Sequence, residues 1–259
     1  MLEPQGRAAF SKLPEVTIGF WIIQIAATTL GETGGDTVSM TFGWGYLAGT
    51  ALFAGLLIVC VITQIKAQKF HPALYWAAIV AATLFGTTTA DCFDRSLGIG
   101  YTGGSLLIFV CLMAVLGLWY RTTGTVAVET VRNPTTEAFY WMAITFSQTL
   151  GTALGDWTSN VAGLGFGDGA MLFVSMLIVL TVLYCATEVS RVLLFWAAFI
   201  LTRPLGATVG DLLDKPVRYG GLDVSRPLIS VCIAAFMAGC LLVLPQRAGR
   251  HPGHDASLG

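Results

Sequence analysis

A pattern of four residues occurs four times in this chain, always with the same spacing. Each copy has a tryptophan, a glycine ten residues later, an aspartate five residues after that, and a second glycine nine residues further on. The copies are Trp21, Gly31, Asp36, Gly45; Trp76, Gly86, Asp91, Gly100; Trp141, Gly151, Asp156, Gly165; and Trp196, Gly206, Asp211, Gly220. Such self-similarity predicts four tandem copies of one supersecondary unit.

The composition does not suit a water-exposed surface. Hydrophobic residues make up 55% of the chain and charged residues only 11%, whereas soluble domains carry about 25% charged residues. Uncharged apolar runs approach the ~20 residues that a helix needs to cross a bilayer, at 46–65, 101–120, 169–186 and 227–245. Four more apolar segments, each running up to one repeat aspartate, are 16–35, 71–90, 136–155 and 192–210. We therefore expect an all-α integral membrane protein with eight transmembrane helices, two per repeat, and the lipid bilayer as a partner.

The repeats predict how the chain is arranged in the membrane. Because each repeat holds an even number of helices, its copies share one orientation and are related by pseudo-symmetry about the membrane normal. Lysines and arginines number nine in the termini and inter-repeat links and five on the other side, which predicts that both termini are cytoplasmic. The predicted divisions are an arm (1–14), a first half (15–120), a central cytoplasmic linker (121–135), a second half (136–246) and a disordered cytoplasmic tail (247–259).

The four repeat aspartates are the candidate site. A charge at mid-membrane costs about 2.5–3.5 kcal/mol on insertion scales, so an intramembrane carboxylate favours a functional role. Oxygen ligands suit protons or hard cations such as Mn²⁺, Mg²⁺ and Ca²⁺. The predicted metal ligands are Asp36, Asp91, Asp156 and Asp211, with Glu32 as an added ligand or proton acceptor. We expect a transported divalent cation and no tightly bound cofactor.

A structural interpretation of the acids stands beside this one. An aspartate at the end of an apolar helix can simply face water. The acids outside the repeat positions are expected to form local ion pairs, Asp94–Arg95, Asp214–Lys215 and Asp223–Arg226, worth about 0–1 kcal/mol each.

Other repeat positions are predicted to support the site. Arg203 occupies a position that is Thr28, Thr83 and Gln148 in the other copies, and it is expected either to neutralise a carboxylate or to reach an interface. The glycines Gly31, Gly86, Gly151 and Gly206 indicate either close helix packing or broken helices that line a cavity. The tryptophans are expected in an aromatic belt at the cytoplasmic interface.

The pattern resembles a family of bacterial inner-membrane proteins built from four tandem two-helix repeats, each with a characteristic tryptophan. The segments that carry the resemblance are FWIIQIAATTLGETGGD, YWAAIVAATLFGTTTAD, YWMAITFSQTLGTALGD and FWAAFILTRPLGATVGDLLDKP. The family is catalogued as a repeat of unknown function. The resemblance implies an eight-helix architecture in a bacterial inner membrane, without an activity.

The leading functional hypothesis is a small transporter for a hard cation, in particular a divalent metal such as Mn²⁺, with protons as candidate coupling ions. The alternative is a membrane scaffold or assembly partner whose carboxylates are structurally paired. An enzyme is not expected, because the helices carry no histidine and the chain has no GxSxG, HExxH or nucleotide-binding loop. No basic cluster indicates nucleic acid, and the sequence leaves the oligomeric state open.

Overall fold

A computed structural model of the chain describes residues 12–131 and 133–249. Within these ranges the long elements are all α-helices, and the only β-type pairing is the isolated bridge between Pro14 and Ala248. The helices are α1 (Ile18–Asp36), α2 (Gly45–Lys66), α3 (Pro72–Asp91), α4 (Gly100–Thr123), α5 (Pro134–Asp156), α6 (Gly165–Ala186), α7 (Arg191–Asp214) and α8 (Arg226–Val243). Each repeat therefore forms one pair of helices, as predicted.

The four odd-numbered helices form a closed inner ring. In this ring α1 packs against α3, α3 against α5, α5 against α7, and α7 against α1. Each even-numbered helix lies outside and packs on the inner helix of the following repeat: α2 on α3, α4 on α5, α6 on α7, and α8 on α1. The repeats are thus interlocked, because every outer helix covers the next repeat.

Six helices are long and apolar enough to cross a membrane, namely α2, α3, α4, α6, α7 and α8. The helices α1 and α5 are absent from this set, and both carry buried acidic side chains: Glu32 and Asp36 in α1, Glu137 and Asp156 in α5. The all-helical prediction is therefore confirmed for the described residues, and six of the eight expected spans are long and apolar enough to cross a membrane.

Residues spaced by four are neighbours on a helix surface, and one such series runs along each inner helix. Along α1 these residues are Phe20, Gln24, Thr28, Glu32 and Asp36, and all are buried. The equivalent residues of the other inner helices complete five layers. In chain order these are Tyr75, Ile79, Thr83, Thr87, Asp91; Tyr140, Ile144, Gln148, Thr152, Asp156; and Phe195, Phe199, Arg203, Ala207, Asp211. The bundle is thus aromatic at one end and acidic at the other.

The aromatic layer overturns the expected interfacial belt. Trp76, Trp141 and Trp196 are only 1%, 2% and 4% exposed. The residue before each tryptophan contacts the tryptophan of the next repeat. These pairs are Phe20–Trp76, Tyr75–Trp141, Tyr140–Trp196 and Phe195–Trp21, with ring centroids 5.4, 5.8, 6.4 and 6.0 Å apart. The belt prediction was wrong for these three tryptophans, because they are buried between inner helices instead of facing lipid headgroups. Trp21 is half-buried.

The repeat glycines allow the inner helices to touch. All four lie inside continuous α-helices, so the broken-helix alternative is wrong for them. A Cβ atom added to each would meet the neighbouring repeat at 2.3 Å (Gly31 to Thr83), 2.9 Å (Gly86 to Gln148), 2.2 Å (Gly151 to Arg203) and 2.2 Å (Gly206 to Thr28). Each glycine therefore packs on the residue that fills the third layer of the adjacent helix.

The fourth repeat differs from the others just after its aspartate. In the first three copies the aspartate is followed by a π-helical turn, at Thr37–Thr41, Cys92–Ser96 and Trp157–Val161. A glycine with φ near +70° follows each turn: Gly43, Gly98 and Gly163. The fourth copy has Arg218 at that position and Pro216 before it, and α7 instead continues to Asp214. Lys215 consequently lies at the end of an uninterrupted α-helix.

Both ends of the described chain meet at the aromatic end of the bundle. Pro14 pairs with Ala248, and the backbone N–H of Glu15 donates to the Arg247 carbonyl at 2.9 Å. The indole N–H of Trp76 donates to the Gln246 side chain at 3.2 Å. Most of the predicted arm (1–11) and tail (250–259) lies outside the described residues.

Candidate ion site in the bundle interior

Arg203 lies on the bundle axis between the aromatic and acidic ends, and its side chain is fully buried. Its Nη2 atom is 3.1 Å from Glu32 Oε2, and the same atom donates to the hydroxyls of Thr87 and Thr152 at 2.5 and 2.6 Å. Its Nη1 atom donates to the Thr28 carbonyl at 3.1 Å. The ion pair expected of Arg203 is present, but the partner is Glu32 and not a repeat aspartate. The interfacial alternative is wrong.

Lys215 joins two repeat aspartates from neighbouring helices. Its Nζ atom is 2.6 Å from Asp36 Oδ2 in α1 and 2.9 Å from Asp211 Oδ1 in α7, and Asp214 Oδ1 is further away at 3.8 Å. Both carboxylates lie within ion-pair distance of the ammonium and stabilise its positive charge. Lys215 therefore supplies a positive charge to the acidic layer.

Of the three expected local pairs, Asp214–Lys215 is present at 3.8 Å, whereas Arg95 and Arg226 bind other carboxylates. Arg95 pairs with the repeat aspartate Asp91 at 3.0 Å instead of Asp94. Arg226 contacts Asp214 at 2.5 Å instead of Asp223. The local pairing was wrong for these two bases because the backbone after each repeat aspartate directs them back toward the helix ends, where buried carboxylates need a counter-charge.

Asp156 is the exception among the repeat aspartates. It is only 4% exposed, and it has no ion pair among the residues that the structure describes. Its Oδ2 atom is buried and has no hydrogen-bond partner there. The residue four positions later, Asn160, donates instead to the Asp156 backbone carbonyl at 2.9 Å. Asp156 thus contributes an uncompensated carboxylate to the acidic layer.

The repeat pattern itself indicates which bases pair with the repeat aspartates. Four residues after the repeat aspartate, the copies have Met40, Arg95, Asn160 and Lys215. A spacing of four places a side chain on the same helix face as the aspartate. The two basic copies therefore predict ion pairs with Asp91 and Asp211, both of which the structure contains.

Three of the predicted ligands come together. One carboxylate oxygen each from Glu32, Asp36 and Asp211 lies within 4.8 Å of the others, and all three residues are buried. Asp91 and Asp156 are not part of this group. An all-oxygen set of this kind fits a hard cation, although Arg203 and Lys215 already contact its members.

A cavity of about 460 Å³ lies beside the acidic layer. Charged and polar groups line much of it: Arg95, Tyr101, Ser159, Asn160, Lys215 and Tyr219. Arg95 and Lys215 each contact a repeat aspartate, so the cavity is continuous with the ion-pair network. The opposite end of the bundle is filled by the aromatic layer.

These features define an all-helical, internally repeated protein of membrane type with a charged network inside its inner ring. The chain belongs to the family described as Repeat of Unknown Function (DUF347), whose model matches it four times, at residues 19–70, 74–125, 139–190 and 194–246. No curated protein and no solved structure matches the chain. Its function must accordingly be argued from its own geometry.

Proposed function

We propose that all eight helices cross a bacterial inner membrane, with both termini in the cytoplasm and a pseudo-fourfold axis along the membrane normal. At 1.5 Å per residue, the 19 residues of α1 and the 23 residues of α5 extend about 28 and 34 Å, close to the ~30 Å hydrocarbon thickness. Their polar residues face the ring interior, away from lipid. Arg203 is buried in the core, so it no longer counts among the five Lys and Arg residues on the side opposite the termini. The excess of positive charge on the side of the termini is then larger, which favours a cytoplasmic location for them.

Within this arrangement, the protein is a small transporter for a hard cation, with Mn²⁺ as the leading candidate and protons as possible coupling ions. The observation that carries the proposal is the buried oxygen group of Glu32, Asp36 and Asp211 in the layer beside the cavity. A bundle that needed only stability would place apolar side chains on its axis, since buried ion pairs are often no better than hydrophobic packing. Cation binding thus accounts for the burial of Glu32, Asp36 and Asp211 beside one another.

The geometry supports access from one side at a time. The acidic layer borders the cavity, while the Arg203–Glu32 pair and the aromatic layer fill the path toward the other end. Transport then requires the aromatic layer to open as the cavity closes. Movement of the first half (α1–α4) against the second (α5–α8) changes the inner contacts α3–α5 and α7–α1. It also changes the contacts of the outer helices α4 with α5 and α8 with α1.

A specific observation favours the scaffold alternative. Three of the four repeat aspartates, Asp36, Asp91 and Asp211, already have basic partners. If these pairs serve only stability, neutralising an aspartate weakens the fold or a complex without affecting any ion flux.

Divalent-cation flux in proteoliposomes separates the two functions. We expect the parent protein to admit Mn²⁺ to vesicles that contain a quenchable dye, and we expect Asp36→Asn to abolish this flux. Asp168→Asn is the matched control, because Asp168 is an exposed carboxylate at the start of α6, and it should transport normally. Absence of flux in the parent under either membrane polarity and either pH gradient would refute Mn²⁺ transport. Retention of flux by Asp36→Asn would remove Asp36 from the site.

A further inference from the structure

Lys215 occupies the position that a bound cation would take between α1 and α7. Its Nζ atom lies 2.6 Å from Asp36 Oδ2 and 2.9 Å from Asp211 Oδ1, and it fills the space between these two oxygens. A metal ion and the ammonium cannot both lie between the same two carboxylates. Asp36 still has a buried oxygen, Oδ1, with no hydrogen-bond partner in the described part of the chain, so its binding capacity is not exhausted by the lysine.

This placement depends on features found only in the fourth repeat. Arg95 holds the equivalent position in the second repeat, but it pairs with Asp91 of its own helix. Lys215 instead reaches an aspartate on the neighbouring inner helix as well as its own. The helix that carries it continues without a π-helical turn and stops before Pro216, which has no N–H to extend it.

We propose that the Lys215 ammonium is a tethered counter-ion that fills the cation site when cargo is absent and leaves it when cargo binds. This inference rests on the proposed cation-transport function and assigns Lys215 as the residue that sets the apparent affinity of its site. Binding is then an exchange of one positive charge for another. The carboxylates of Asp36 and Asp211 consequently never remain together without a counter-charge in the membrane interior, where such a state is costly.

The cavity provides a place for the displaced lysine. Lys215 lines it, and its side chain is 14% exposed even while it contacts both aspartates. Asn160 lines the same cavity and lies one helical turn after Asp156, the repeat aspartate without a basic partner. Arg203 holds Glu32 separately at 3.1 Å, so movement of Lys215 leaves that ion pair in place.

Mn²⁺ binding to the purified full-length chain tests the inference. We expect Lys215→Met to bind Mn²⁺ at least about tenfold more tightly than the parent, because an occupied site reduces apparent affinity by the fraction that is free. Lys215→Arg, which keeps the charge, should bind no more tightly than the parent. Adding Asp36→Asn to Lys215→Met should remove the gain. Unchanged or weaker binding by a folded Lys215→Met protein would overturn the inference.

A second measurement needs no substitution and guards against a variant that does not fold. Mn²⁺ should increase the rate at which a small amine-reactive acylating reagent modifies Lys215, as read by peptide mass spectrometry. The exposed Lys66 and Lys69 serve as internal references and should not respond. A Lys215 rate that is unaffected or lowered by Mn²⁺ would also overturn the inference.

The two proposals fail in different ways. If the parent transports Mn²⁺ but removal of Lys215 does not tighten binding, cation transport stands and the counter-ion role is wrong. If neither the parent nor Lys215→Met binds Mn²⁺, the site itself is wrong and both proposals fall.

Discussion

The two ends of the inner ring are built from equivalent positions but achieve their packing in opposite ways. At the aromatic end, each repeat makes the same contact with the next, so four similar ring pairs close the layer. At the acidic end, four like charges cannot satisfy one another, and bases enter at unequal positions: Lys215 between Asp36 and Asp211, and Arg95 beside Asp91. Apolar packing can therefore retain the repeat symmetry, whereas the charged layer departs from it.

The largest effect is expected where the charged network crosses the bundle axis. Arg203→Met leaves Glu32 buried without its basic partner and should destabilise the protein by about 3–5 kcal/mol. The free energy of unfolding, measured in detergent with a denaturant, checks this. Arg218→Met, at an exposed arginine of the same repeat, should change it little. Adding Glu32→Gln should recover part of the loss, and no recovery would contradict the assignment of Glu32 as the partner.

The second-largest effect is expected at the close contact between α5 and α7. Gly151→Ala places a Cβ where Arg203 Cγ lies 2.2 Å away, and such overpacking should cost about 1–3 kcal/mol. Gly117→Ala is the matched control, because nothing lies within 4 Å of a Cβ at Gly117. Thermal unfolding of the two variants side by side is the measurement. Equal midpoints would show that α5 and α7 are not held together at this glycine.

A smaller effect is expected in the aromatic layer. The hydroxyls of Tyr75 and Tyr140 lie 2.7 Å apart and both are buried. Tyr75→Phe leaves one hydroxyl without its partner and should cost about 1 kcal/mol, whereas replacing both tyrosines by phenylalanine should be nearly neutral. The free energies of unfolding of the single and double variants check this. A double variant that is much less stable than the single variant would contradict it.

The smallest predicted effect has the opposite sign. Asp156 has no ion pair among the described residues, and its buried Oδ2 atom has no hydrogen-bond partner there. Asp156→Asn removes a buried charge and should leave stability unchanged or raise it by about 1 kcal/mol. Asp36→Asn, by contrast, removes an acceptor of Lys215 and should destabilise. The unfolding midpoints of the two variants are compared. Equal losses of stability would contradict the distinction between an aspartate with a basic partner and one without.

Much of this fold was predictable because one set of offsets recurs four times. The recurring offsets predicted four copies of one unit, and the apolar runs predicted two helices in each copy. The direction in which the tryptophans face was not predictable from hydropathy, since an inner aromatic layer and an interfacial belt have the same composition. Burial by the adjacent repeat decides between them.

The charged network was only partly accessible to sequence reasoning. Arg203 was identifiable because it breaks the repeat pattern, but its pairing with Glu32 depends on the register between α7 and α1. Lys215 was assigned to Asp214 because that residue is adjacent in sequence. The repeat position shared by Lys215 and Arg95, one helical turn after the aspartate, was the better guide to Asp211 and Asp91. The contact with Asp36 additionally required knowing that α1 and α7 are neighbours.

The central claim is that the acidic layer is a cation site, and locating Mn²⁺ by its anomalous scattering in crystals of the full-length protein tests it most directly. The account predicts a Mn²⁺ peak bounded by Glu32, Asp36 and Asp211, with the Lys215 side chain turned away into the cavity. Crystals that take up Mn²⁺ only elsewhere, with Lys215 still between Asp36 and Asp211 at saturating metal, would contradict it.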